Sequence, residues 1–183
     1  MADKYYWALL IFGLLFLSYA AFAIAREKNF YQQTSHPIFF KGMVLKIPAW
    51  WAIDGQDEFS LCFKREDTHY DWFAQFNFFD KNEIKNQSAE KILTEELEDR
   101  KIVIDHDTQI KNNLPYGLKL PCEISFARIE GCATINTEER IYIDLVILKK
   151  ESQIWRMSSQ SSILNGCVEG PYFEEVIKNI SYQ

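Results

Sequence analysis

Between Tyr5 and Ala25 the chain runs for 21 residues without a charged side chain (YYWALLIFGLLFLSYAAFAIA). As a helix this segment spans about 31 Å, which matches the roughly 30 Å hydrocarbon core of a bilayer. Tyr5, Tyr6 and Trp7 stand at one end, where amphipathic rings favour the interface, and Arg26 and Lys28 close the other. The segment therefore reads as a single-span transmembrane anchor. A cleaved signal peptide is the competing reading. The densest apolar run, Trp7 to Leu17, is only 11 residues long, and Ala21-Phe22-Ala23 and Ala23-Ile24-Ala25 both fit an A-x-A cleavage site. Lys4 is offset by Asp3, a weak basic start that favours retention. No Cys lies near the end of the run, which disfavours a lipoprotein. A buried core helix is disfavoured too, because such helices rarely stay charge-free for so long.

The remaining residues divide into a polar connector, 26–37, and a single domain, 38–183. The 183-residue chain has 48% apolar and 15% aromatic residues, ample for one core, and its 7 Gly and 5 Pro argue against long flexible linkers. Net charge is −6, and beyond the first 25 residues 25 acids face 19 bases. An acidic domain without a basic stripe is not expected to bind nucleic acid, which needs clustered Lys and Arg. It is an equally poor fit to anionic lipid.

Along the domain the periodicity changes several times. Ile38 to Ile47 reads as strand or hairpin, with a turn at Lys41-Gly42 and a stop at Pro48. Phe59, Leu61 and Phe63 alternate against Ser60, Cys62 and Lys64 as one strand, and Trp72, Ala74, Phe76 and Phe78 against Phe73, Gln75, Asn77 and Phe79 as another. Ser88 is placed to cap a helix running to about Arg100, with Ala89, Ile92, Leu93 and Leu97 on one face. Ile102 to Ile104 reads as a short strand, Asn112 to Gly117 as a loop. Glu123 to Ile135 is strand-like, with a break expected at Glu130-Gly131. Arg140 to Leu148 and Gln153 to Ser159 are strands joined by a turn at Lys149 to Ser152. Asn165-Gly166 and Gly170-Pro171 predict a loop, and a terminal helix carries Tyr172, Phe173, Val176, Ile177 and Ile180 on one face. Short connections between the late strands require antiparallel pairing. The expected class is α+β: an antiparallel sheet with helices packed on it, preceded by one transmembrane or signal helix.

Three segments carry a resemblance. Met43 to Trp50 (MVLKIPAW), the paired strands within Arg140 to Ser159, and Phe173 to Ile180 (FEEVIKNI) resemble the opening, long strands and closing helix of the PsbP-like superfamily, which includes bacterial DcrB-type envelope proteins. The likeness spans most of residues 38 to 180. It implies a non-enzymatic binding or assembly role and brings no catalytic residues with it. Lys4 on one side and Arg26 and Lys28 on the other leave a positive-inside balance that nearly cancels or slightly favours a cytoplasmic domain, whereas the signal-like end of the segment argues for export; the expected setting is a bacterial inner membrane, entered through residues 5–25, with the domain in the periplasm, or free there after cleavage. The implied partner is another envelope protein.

Candidate chemistry is sparse. Asp67, His69 and Asp71 alternate, and Asp105-His106-Asp107 are adjacent; an envelope hydrolase or metal-dependent enzyme built on His69 or His106 is the rival to the binding role. Residues in a row along one strand sit too far apart to chelate together, and adjacent ones point opposite ways. No G-x-S-x-G, glycine-rich phosphate loop or dinucleotide fingerprint occurs, so no cofactor is expected. Ser158 to Ser162 reads as a solvated strand end. Asn86-Gln87-Ser88 and Asn179-Ile180-Ser181 match the glycosylation sequon, which matters only in a eukaryotic secretory lumen. Cys62, Cys122, Cys132 and Cys167 form an even set that permits disulfides in an exported domain, though four small buried side chains fit as well. Cys122 and Cys132 are poor partners whether the chain between them runs straight or turns. Trp50 and Trp51 are adjacent after Pro48, so the two cannot be buried alike. One of them is expected to face a partner; half-buried positions over the sheet are the alternative.

Overall fold

The computed structural model describes residues 2–65 and 71–182. The chain divides into two compact units, Met1–His36 and Pro37–Gln183. Helix α1, Ala2–Thr34, fills the first. Its Tyr5–Thr34 stretch is long and apolar enough to cross a membrane, and none of its most apolar window is buried in protein. Ser18 donates its hydroxyl to the Leu14 carbonyl at 2.8 Å. That bond lets a polar residue sit in an apolar helix without an orphaned donor. The connector is helical as far as Thr34.

The second unit is α+β, as expected. A three-stranded sheet is ordered β1-β2-β10, with β1 His36–Phe40, β2 Met43–Ile47 and β10 Ser181–Tyr182. A seven-stranded sheet is ordered β3-β4-β5-β9-β8-β7-β6, comprising β3 Trp51–Gln56, β4 Ser60–Arg65, β5 Phe73–Asp80, β6 Ile102–Ile104, β7 Ser125–Ile135, β8 Glu139–Lys150 and β9 Gln153–Ser161. Every strand pair in it is antiparallel. The predicted Lys41-Gly42 turn is present, with φ of 46° and 80°.

The two faces of the large sheet are closed by different means. On one, α2 (Ala89–Asp99) lays Ala89, Leu93 and Leu97 over Ile129, Ile141, Ile143, Leu145 and Ile147. Ser88 caps α2 as its sequence position predicts, its Oγ accepting the Lys91 N–H at 3.2 Å. On the other face, α3 (Ile163–Lys178) covers an aromatic core of Trp51, Phe63, Trp72, Phe76 and Phe173. Neighbouring rings there meet at 4.5 to 6.0 Å between centroids. β2 adds Met43, Leu45 and Ile47, all fully buried.

Two expectations are corrected, and two strands appear that the periodicity did not signal. Asn165 to Pro171 is not a loop but the first half of α3, with Pro171 inside the helix. Gly166 and Gly170 are there because the helix rides on Tyr142: a Cβ at Gly166 would lie 2.3 Å from Tyr142 Cγ, and one at Gly170 3.0 Å from its hydroxyl. β7 runs unbroken through Glu130-Gly131, because a Cβ at residue 131 would meet Thr108 Oγ1 at 2.5 Å and glycine answers that approach rather than a turn. β3 carries no apolar alternation, since only Trp51 in it is buried and a bulge falls between Ile53 and Gly55. β10, two residues long, pairs with β2 beyond the predicted terminal helix.

Candidate functional site

Two charged clusters lie beneath α3, and neither is signalled by local sequence. Antiparallel register sets Glu130 of β7 opposite Asp144 of β8, and Asp144 opposite Ser159 of β9. Arg128, two residues before Glu130, reaches along the same face. It grips Asp144 with two bonds, Nε to Oδ1 at 2.9 Å and Nη2 to Oδ2 at 2.7 Å. The same Nη2 lies 2.9 Å from Glu130 and 3.9 Å from Glu174 of α3. Tyr142 donates to Glu130 at 2.7 Å. Lys111 and Lys178 meet Glu130 and Glu174 at the outer edge. The cluster thus runs from a fully buried carboxylate to the surface.

Burial pushes the Asp144 carboxyl up to about 6, even though Arg128 pulls the other way. Burial and the bond to Glu130 raise Tyr142 above its ordinary value. For Arg128, burial works against the charge but is outweighed by Asp144, Glu130 and Glu174, so its pKa rises. Burial opposes ionisation of Glu174 as well, and Lys178 and Arg128 outweigh it, so its pKa falls.

The second cluster centres on Glu169, fully buried on α3. It accepts the Trp51 indole N–H at 3.0 Å and forms an ion pair with Arg65. These contacts fasten α3 to β3 and β4. A buried charge must be paired to be tolerated, and both clusters meet that requirement. They are structural ties between α3 and the sheet.

The opposite face of β4, β5 and β9 has a different character. Register sets out three cross-strand rows: Ser60, Asn77 and Arg156; Cys62, Gln75 and Ser158; Lys64, Phe73 and Gln160. The packing of α2 is on β6, β7 and β8, and among the described residues no helix closes over β4 and β5 on this side. Beside it, a cavity of about 210 Å³ opens between α2 and the sheet, with Phe79, Ile92, Ile147 and Ile154 as its apolar lining. Arg156 bridges to Glu96 at 2.5 Å on its rim, and Arg100 reaches Gln160 at 3.2 Å. Asn77 Nδ2 and Ser158 Oγ, both on this face, have no hydrogen-bond partner among the described residues. This mixed polar patch, with Lys64 in one outer row and Arg156 in the other, can meet a protein surface through hydrogen bonds.

The residues singled out in the sequence scatter. Trp51 is 3% exposed and belongs to the aromatic core, which removes it as a partner-facing residue. Trp50 is half-buried and packs edge-on against Tyr172, ring centroids 4.9 Å apart. All four cysteines are free; Cys62 and Cys132 are half-buried, Cys122 and Cys167 exposed. The expectations of bridges and of four buried thiols are both replaced by this arrangement. Asp67 and His69 lie outside the described residues. Asp71 accepts from the Ser162 N–H and from Asn165 at the start of α3. Asp105 is held by Arg140 through two bonds of 2.7 Å, and the Arg140 bond keeps its carboxyl below the usual range. That leaves His106 without a free carboxylate immediately before it. Among the described residues no three His, Cys, Asp or Glu side chains are grouped to hold a metal ion. Ser158, Ser159 and Ser161 are buried rather than solvated, and Ser159 accepts the Trp72 indole N–H at 2.8 Å.

No protein-family model matches this chain, and no curated protein matches it in sequence. Solved structures do match in fold. The solution structure of cyanobacterial PsbP (CyanoP) from Synechocystis has a TM-score of 0.57 at 8% identity, covering 82% of this chain and 94% of that one. A crystal structure from Bacteroides thetaiotaomicron gives 0.53 at 13% identity; 82% of this chain is matched to about half, 49%, of the other. A Pseudomonas aeruginosa protein of unknown function gives 0.50 at 10% identity, covering 81% and 97%. At these identities the likeness is one of fold: the domain that follows the apolar helix is similar in architecture to cyanobacterial PsbP.

Proposed function

We propose that this chain is a membrane-anchored, non-catalytic accessory domain on the outer face of a bacterial inner membrane. In this reading it is a remote PsbP-like domain that binds another envelope protein on the open half of its large sheet. The observation that carries the proposal is the asymmetry of that sheet. One face is closed by α3 over an aromatic core, whereas the other presents the rows through Asn77, Gln75 and Phe73 with no helix above β4 and β5. Sheet faces without a cover are where partners dock when their side chains are mixed polar and aromatic. Trp50, which packs against Tyr172 of α3 and so stands on the closed side, is proposed as a second, separate contact with the partner.

The test is a pull-down of the full chain from gently solubilised membranes. A stable envelope protein should be recovered. Gln75→Arg, which sets a charge in the middle row, and Trp50→Ala should each weaken recovery with thermal unfolding unchanged. Recovery of the chain alone, or recovery indifferent to both substitutions, contradicts the proposal.

A further inference from the structure

Over its first two turns helix α3 has only two polar side chains, Asn165 and the inward-facing Glu169. Its inner side buries Gly166, Glu169, Gly170 and Phe173. Its outer side presents Leu164, Cys167, Val168 and Pro171, all exposed, with Leu164 82% and Val168 44% accessible. These four follow the i, i+3, i+4, i+7 spacing of one helical stripe. The single carboxylate in Ile163 to Pro171 is Glu169, and it is turned inward to Trp51 and Arg65. The outer stripe therefore carries no charge. The solvent side of α2 shows the contrast, with Glu90, Lys91, Glu95 and Glu98. An apolar stripe along a helix is ordinarily the side that is covered.

We infer that this stripe rests on the surface of the bilayer in which α1 is anchored, taking up zwitterionic lipid. Two observations choose this occupant over a protein. Four side chains offer only a few hundred Å² between them, well short of the roughly 800 Å² per partner that a stable protein complex buries. Small apolar insertions suffice, however, when a second attachment already holds the protein at the membrane. The chain supplies that attachment. From Arg26 to Thr34 the helix continues for nine residues before the domain begins, about 14 Å at a helical rise. Such a short tether makes lipid contact an intramolecular event with a high effective concentration. The chemistry also selects the lipid. A domain of net charge −7 with an uncharged stripe is repelled by anionic headgroups and not by zwitterionic ones.

The inference rests on α1 being retained as an anchor, and the experiment reads the two separately. The full chain carrying Cys122→Ser is labelled at Cys167 with a small environment-sensitive bimane and reconstituted in phosphatidylcholine vesicles containing a lipid-borne nitroxide quencher. A second preparation carries Cys167→Ser and is labelled at Cys122. Flotation reports the anchor. Quenching reports the stripe. The expected result is quenching by lipid, loss of acrylamide access and a blue shift at Cys167, with none of the three at Cys122. Leu164→Ser with Val168→Ser should abolish the lipid signal and leave flotation intact. Floating chains whose Cys167 label stays open to acrylamide overturn the lipid contact alone. Oxidative crosslinking of Cys167 to Cys167 identifies a second copy as the occupant and overturns it too. Chains that do not float overturn the anchor, and the lipid contact with it.

Discussion

Asp144 has no solvent exposure, and among the described residues its counter-charge within bonding distance is the Arg128 guanidinium. Its proton is bound more tightly in the folded chain, where burial lifts it to about 6, than in the unfolded chain, where a carboxyl titrates near about 4. The stabilisation from this proton is therefore complete below about pH 4 and is lost as pH rises through about 6. Across that window the loss is on the order of 3 kcal/mol at most. Asp144→Asn should flatten the dependence of unfolding free energy on pH between about 4 and 6, measured by denaturant titration. A carbon-detected titration of the Asp144 carboxyl should place its midpoint near 6; a midpoint in the ordinary carboxylate range contradicts this account of the cluster. None of this was legible in the sequence. Arg128 and Asp144 are single charges in two separate apolar runs, and only the register that sets Glu130 beside Asp144 brings them together. Trp51 shows the same limit. That one tryptophan of the pair would be buried followed from their adjacency, but which one depended on the Glu169 carboxylate 118 positions away.

At the scale of elements, the strands with strong alternation and the capped helix α2 stand where their periodicity places them. α3 departs because two glycines and a proline, read locally, are loop punctuation. Their reason is tertiary: Tyr142 fills the space that side chains at positions 166 and 170 would occupy. Gly166→Ala should therefore destabilise the domain even though alanine is the better helix former. The overlap with Tyr142 should cost about 1–3 kcal/mol, the range for overpacking a filled site. The double variant Gly166→Ala with Tyr142→Ala should recover part of that loss, because the clash is removed. Gly55→Ala is the control, since its Cβ would meet only Cys62 at 3.9 Å. Equal stabilities for Gly166→Ala and the parent would mean that α3 does not ride on Tyr142 as described. The outward stripe of the same helix was invisible while its first half read as a loop.

For the whole molecule, the α+β class and the apolar leader were readable from periodicity and length. The seven-stranded order was not, because pairing β5 with β9 joins segments about 80 positions apart that carry no mutual signal. The asymmetry that follows from this order, one face closed and the other half open, is what supports a binding role. That role depends on where the domain is held. The intact mass of the native protein recovered from a cell envelope fraction after alkaline extraction tests this most directly. The expected result is a chain that keeps residues 5–25 and stays with the membrane. A chain that begins near residue 24 or 26 and is released into the soluble fraction contradicts it.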